Sequence, residues 1–282
     1  MPKVSVIIPC YNQLAYIAEA IDSVKRQLFT DYEIIIINDG STENDAVEFL
    51  NKFADHSTVV LHIANCGVSA ARNYAIKQST GTYILPLDAD DCITEQFLNA
   101  TVAILDTLPE VEAVRTGVKY FGLINHEEML PVYSRRRHLQ QNVFVNTTLF
   151  RKSSFLNVGG YDEKFAVGWE DWDFFLRLVE RESQVYTIEK PYFLYRIKPS
   201  SRNADLLHDL RCKAEQQLFK KYLDLYLQFY PEPLSQIREI EFLTKEKSNF
   251  EQVKQSIYQS ASYRLGHALL RPVKWIKRFI NR

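Results

Sequence analysis

No pair of cysteines in this chain is spaced for cross-linking or chelation. Cys10, Cys66, Cys92 and Cys212 lie far apart, with no CxxC pair and no zinc spacing. That argues against a disulfide scaffold or a structural zinc site and for reduced thiols in a cytosolic protein. No glycine-rich turn follows the first apolar run, and neither GxGxxG nor GxxxxGK[ST] occurs, against a dinucleotide oxidoreductase or a P-loop NTPase. No apolar run reaches the ~18–20 residues needed to cross a bilayer, and the N-terminus lacks a signal-peptide pattern, so a soluble or surface-attached protein is expected. The formal charge is −1, which gives no global field to attract nucleic acid. Internal repeats and low-complexity segments are also missing.

What is present is a packed globular composition, 46% apolar and 24% charged over 282 residues. That length accommodates one α/β domain plus an appendage. Val4–Ile8 reads as a buried strand, and Ile34–Ile37, Val59–Ile63 and Tyr83–Leu87 read as further strands. Between and after them come helical patterns: Ile17, Ile21, Val24 and Leu28; Val47 and Leu50 behind an N-cap at Asn38–Thr42; Val68–Ile76; and Phe97–Leu108. Strands apolar on both faces that alternate with helices predict a Rossmann-like, mostly parallel sheet covered by helices on both faces. Ligands bind beyond the carboxyl ends of such strands. The polar clusters fall there: Pro9-Cys-Tyr-Asn12, Asp39, Asn65–Asn73 and Asp88–Asp91. Residues 120–150 read as short strands with a basic loop, Arg135-Arg-Arg-His138, that either meets an anionic acceptor or is a solvated run. Gly159-Gly-Tyr-Asp-Glu163 reads as a flexible turn. From about Ala204 the pattern becomes helical, giving expected domains at 1–203 and 204–282.

Three places carry chemistry. Asp88-Ala-Asp-Asp91 sets carboxylates at the mouth of an apolar strand, where Mg²⁺ or Mn²⁺ would relieve their repulsion and bring a phosphorylated substrate; an acidic turn capping the next helix fits the same residues. Arg72, where a helix begins, is placed for a diphosphate or for snorkelling over the sheet. Glu170 and Asp171 open a helix between Trp169 and Trp172, as dipole partners or with a general base among them. Asp173 points elsewhere around that helix and is expected to serve structure.

A resemblance joins these pieces. Val4–Asn12, Tyr32–Thr42, Asn65–Asn73, Leu87–Asp91, Gly159–Asp162 and Trp169–Asp173 occur in the order found in family 2 glycosyltransferases, and the chain resembles that family up to about residue 203. The resemblance implies a GT-A fold and an inverting enzyme. Sugar would pass from a nucleoside diphosphate donor to an acceptor hydroxyl by a single in-line displacement. It implies that Pro9, Tyr11, Asn12 and Asp39 hold the nucleoside, that Arg72 contacts base or phosphate, and that Asp88 lies by ribose and metal with Asp90 as the direct ligand. Asp171 would be the base and Glu170 would position acceptor or diphosphate. The sequence departs from the family at Lys198, near a place where many relatives carry histidine. A protonated lysine does not ligate a cation but pairs with diphosphate.

Uridine diphosphate sugars are the default donors by family frequency alone, and a glycan or lipid-linked acceptor in cell-surface polysaccharide or glycolipid synthesis is expected. The alternatives are a non-catalytic nucleotide-sugar-binding partner protein and, further off, a Mg²⁺-dependent phosphatase. Leu265, Leu269, Val273, Ile276 and Ile280 share one helical arc, opposite Arg264, His267, Arg271, Lys274, Arg278 and Arg282. Residues 262–282 are therefore read either as a basic amphipathic tail meeting the inner membrane surface or as a helix packed on the catalytic domain.

Overall fold

A computed structural model describes residues 1–165, 168–199 and 208–260 of the chain. Four apolar runs form the parallel half of its sheet: β1 (Val4–Cys10), β2 (Tyr32–Asp39), β3 (Thr58–Ile63) and β4 (Tyr83–Pro86). They pair in register, with Val4 opposite both Tyr32 and Tyr83, and Ile34 opposite Thr58. Because successive side chains alternate faces, each buried strand feeds two cores. Val4, Val6, Ile8, Ile34, Ile36 and Leu85 meet helices α1 (Leu14–Lys25) and α4 (Phe97–Thr107) on one side. Ile7, Ile35, Ile37 and Ile84 meet α3 (Val68–Gln78) and α7 (Glu170–Leu178) on the other. Each buried isoleucine contributes roughly 1.5–3 kcal/mol relative to exposure.

The remaining strands extend the sheet. They are β5 (Cys92–Ile93), β6 (Ala113–Gly122), β7 (His126–Glu128), β8 (Leu149–Arg151) and β9 (Val185–Ile197). β8 runs antiparallel between β4 and β6, and β6 pairs in parallel with β9, giving the order β3-β2-β1-β4-β8-β6-β9-β5 with β7 on β6. Short helices α2 (Ala46–Asn51), α5 (Arg135–Gln140) and α6 (Lys152–Asn157) fill the connections.

Several expectations are corrected. Leu28 lies beyond the end of α1 and is 63% exposed. There the buried Gln27 amide donates to the carbonyls of Ser23 and Thr94, and its oxygen accepts from the Leu98 backbone, which draws the chain off the helical path. Arg135–His138 is helical and capped by the Ser134 hydroxyl, not a loop. His138 is buried against Tyr133, Phe144 and Trp172, and burial, with Arg115 and Arg135 nearby, pushes its pKa down to about 3, so it carries no charge. The Gly159–Glu163 turn is pinned: the Asn73 side chain donates to the Tyr161 carbonyl and accepts from the Tyr161 N–H.

The chain divides into a first unit, Met1–Tyr222, and a second that begins at Leu223. Helix α8 (His208–Lys221), grouped by sequence with the extension, belongs to the first unit. It buries Ala214 and Leu218, and Lys221 bridges Asp162 and Asp173 at 2.7 Å each. The second unit contains α9 (Leu223–Phe229) and α10 (Pro233–Gln259). Among the described residues no helix is long and apolar enough to cross a membrane. The amphipathic tail at 262–282 lies outside the described residues.

Candidate functional site

The parallel strands end on one rim. Paired ends carry Cys10 beside Asn38, so Tyr11 and Asp39 follow on adjacent strands. Asp39 is buried and faces the start of α3. One carboxylate oxygen accepts from the Cys66 N–H at 2.8 Å, the other from the Gly67 N–H at 3.0 Å. An acid suits that position, because the first amides of a helix lack intrahelical acceptors. Gly40, at φ +67°, lets Asn65 close over it; a Cβ there would lie 2.6 Å from the Asn65 nitrogen. The Asn12 amide is spent locally: its oxygen accepts from the Thr42 and Glu43 N–H groups, and its nitrogen donates to the Thr42 hydroxyl. It ties the loop after β1 to the segment after β2. Tyr11 is exposed and Pro9 half-buried.

At the end of β4, Asp88 Oδ1 accepts from Arg72 Nη2 at 2.7 Å and from Asn146 Nδ2 at 3.2 Å. Asp90 Oδ2 lies 2.6 Å from Lys198 Nζ. Asp91 turns inward and accepts from the Arg196 N–H at 2.9 Å. Burial, reinforced by the Asp88 and Asp90 charges, holds its pKa well above the usual carboxylate range. Asp91 therefore shapes the turn, while Asp88 and Asp90 face outward.

Arg72 connects this turn to the start of α7. It is 1% exposed and lies over the Tyr161 ring at 5.5 Å, with Nη1 3.6 Å from Glu170 Oε1. Glu170 is itself buried and accepts from the Gly168 N–H at 2.8 Å. Beside it, Asp171 accepts from the Trp172 N–H at 2.8 Å and from Asn142 Nδ2 at 3.0 Å. Burial first, then the Glu170 charge, push the Asp171 pKa up to about 7, opposed by Arg72 and these two hydrogen bonds. Asn142 also lines a cleft of about 350 Å³ with Gln140, Gln141, Trp169 and Trp172 from one side and Arg211 and Glu215 of α8 from the other. Asp173, fully buried, pairs with Arg177 and Lys221 and serves structure, as expected.

Around Asp88 the hydrogen-bonding capacity is not used up. Arg72 Nε and Nη1, Asn146 Oδ1 and the Tyr161 hydroxyl are buried without a hydrogen-bond partner among the described residues. Such groups are costly to bury unmade. No three histidine, cysteine or acidic side chains cluster closely enough to hold a metal by themselves among the described residues. Asp88 and Asp90 nonetheless offer hard oxygen donors, a set that suits Mg²⁺ or Mn²⁺ when a diphosphate completes the shell. Asn142, Asn146 and Tyr161 as site residues escape sequence reasoning. The one hint is a pair of asparagines flanking Val143–Val145, polar residues set into an apolar stretch.

The model of the family described as glycosyl transferase family 2 matches residues 5–169, more than half of the chain. An uncharacterized glycosyltransferase of Haemophilus influenzae is 28% identical over 216 residues, covering 71% of each protein. Two other curated relatives are covered only in part, over 212 residues or 23% of one and over 96 residues or 28% of the other. Among solved structures, S. aureus TarS 1-349 in complex with UDP-GlcNAc aligns with TM-score 0.63 at 19% identity, over 83% of this chain and 75% of that one. The mannosyltransferase PcManGT of Pyrobaculum calidifontis, in complex with GDP-Man and Mn²⁺, aligns with TM-score 0.60 at 17% identity, over 95% and 83%. At such identities the structures establish the fold. The matched family model ends at Trp169, just short of the Glu170–Asp171 pair, and it spans β1 through the turn that leads into α7: the chain belongs to glycosyl transferase family 2.

Proposed function

We propose that the protein is a glycosyltransferase that moves a sugar, with inversion, from a nucleoside diphosphate donor to an acceptor hydroxyl, and that Asp171 takes the hydroxyl proton. The observation that carries the reading is the Arg72 bridge, which ties Asp88 on the donor rim to Glu170 beside Asp171. Neighbours of the same fold bind UDP-GlcNAc and GDP-Man, which supports a nucleotide-sugar donor, with UDP as the default nucleotide. Pro9, Tyr11 and Asp39 hold the nucleoside, with Asn12 shaping their loop. Arg72 and Lys198 offer positive charge to the diphosphate. Asp88 and Asp90 would hold Mg²⁺ or Mn²⁺, which when bound neutralises charge on the leaving diphosphate.

With its pKa raised to about 7, Asp171 is poised to accept a proton near neutral pH. The cleft beside Asn142 offers indole faces and amide groups, surfaces that suit a sugar ring. We assign it to a glycan or lipid-linked acceptor. Cell-surface polysaccharide or glycolipid synthesis at the inner face of the membrane, with contact through 262–282, completes the proposal.

The test is Asp171→Asn, assayed for nucleotide release from a panel of UDP- and GDP-sugars with Mn²⁺. Turnover should fall roughly 10²–10⁴-fold while UDP or GDP affinity stays within threefold. Undiminished turnover would remove Asp171 as the base.

A further inference from the structure

We propose that Lys198 is a built-in counter-cation for Asp90: it keeps the metal-facing carboxylate occupied until a donor diphosphate draws the ammonium away, so that divalent cation and nucleotide bind together. The inference rests on the donor-site reading above and adds an order of binding to it.

Lys198 is held in place from several directions. Its Nζ lies 2.6 Å from Asp90 Oδ2, 3.2 Å from Gln13 Oε1 and 5.0 Å from the Tyr16 ring, with the side chain only 12% exposed. Two residues earlier, Arg196 donates its backbone N–H to Asp91 and its Nε to the Asp90 carbonyl at 2.8 Å, while its Nη2 bonds Glu19 at 2.7 Å. The end of β9 is thereby clamped to the Asp90–Asp91 turn, which delivers Lys198 to the carboxylate. On the other side of the turn, Asp88 already has Arg72. Each outward aspartate thus has its own cation within the chain.

A protonated ammonium has three donors and no lone pair, so it does not enter a metal's coordination shell. It also repels a divalent ion at the same oxygen. Binding at Asp90 Oδ2 therefore competes with Lys198, and a diphosphate is an anion able to receive the ammonium with charge-assisted hydrogen bonds. If nucleotide favours metal by freeing Asp90, metal favours nucleotide by the same factor.

The test is Mn²⁺ titration followed by the EPR signal of the free ion, on the whole chain, with and without UDP or GDP. Wild type should bind Mn²⁺ at least tenfold more tightly with nucleotide than without. Lys198→Met should bind nucleotide-free Mn²⁺ at least tenfold more tightly than wild type, a change of about 1.4 kcal/mol, and should lose most of the nucleotide enhancement. Lys198→Arg, which keeps the charge, should behave as wild type, and adding Asp90→Asn to Lys198→Met should abolish the gain. Equal nucleotide-free Mn²⁺ affinities for wild type and Lys198→Met, with both folded by circular dichroism, would overturn the proposal. Failure of wild type to bind either nucleotide would instead sink the donor-site reading.

Discussion

Replacing Asp171 by asparagine should stabilise the protein at alkaline pH while removing its activity. An ordinary carboxylate titrates near 4, whereas burial and the Glu170 charge push Asp171 up to about 7. At 1.36 kcal/mol for each tenfold shift in proton affinity, keeping Asp171 ionised at pH 8 costs the fold at most about 4 kcal/mol. Asp171 as a residue is only half-buried, which lowers that figure. An asparagine keeps the volume and one of the two hydrogen bonds, but it sets an amide NH₂ against Asn142 Nδ2, a loss of about 1 kcal/mol. The net gain should be about 2–3 kcal/mol at pH 8, or ~4–12 °C in Tm for a unit of this size. The sign follows from the raised pKa. The folded state binds the proton more tightly than the unfolded chain, so stability from this group is complete below pH 4 and is lost as pH rises to about 7. The advantage of Asp171→Asn should therefore shrink below ~1 kcal/mol by pH 5. Differential scanning calorimetry of both proteins at pH 5 and pH 8 measures it. An asparagine variant melting at or below wild type at pH 8 would refute the claim that Asp171 is held ionised against its surroundings.

Arg72→Met leaves Glu170 and Asp88 without their shared cation and should lower stability by about 3–5 kcal/mol in urea titration, with part of the loss recovered on adding Glu170→Gln. Gly159 and Gly160 both have left-handed φ values, +78° and +79°, but a Cβ meets nothing at Gly159, whereas at Gly160 it would lie 2.6 Å from Asn73 Oδ1 and 2.9 Å from the Phe155 ring. Gly159→Ala should cost about 1–2 kcal/mol, and Gly160→Ala clearly more in the same titration, because its neighbours must also shift. The pH profile of kcat/KM for nucleotide release should rise from acid with a limb near pH 7, as Asp171 ionises; a limb near pH 4 would point to a solvated carboxylate.

The parallel half of the sheet was legible because β1, β2 and β4 are apolar on both faces and short, a pattern that few other arrangements satisfy. The positions of Asp39 and Asp88 followed from strand ends alone. Their partners did not. Asn142 and Asn146 lie in an irregular segment whose path is set by contacts distant in sequence: the buried Arg115 donates to the carbonyls of Pro131 and Val143 from within β6. Periodicity sees neither the arginine's inward direction nor the loop it organises. His138 misleads for a related reason. Three arginines precede it, yet Trp172 donates its indole N–H to the His138 carbonyl at 2.6 Å and anchors it in an aromatic core. Charge in a sequence is local, whereas burial is decided by whatever packs above.

Arg72 shows why the Asp88 turn and the start of α7 are best regarded as one construction. A guanidinium at 1% exposure is tolerable only if anions reach it. Those anions come from segments that share no secondary structure, Asp88 after β4 and Glu170 at the start of α7. Burial of the arginine thus disfavours any packing in which α7 sits away from the Asp88 turn, and the same contact fixes Asp171, one residue beyond Glu170, beside the site. Its unspent Nε and Nη1 hydrogens show that the two carboxylates do not saturate it. A charge that registers the fold and is left under-satisfied keeps hydrogen-bonding capacity in reserve beside the Asp88 turn, which supports the proposed contact with a donor diphosphate.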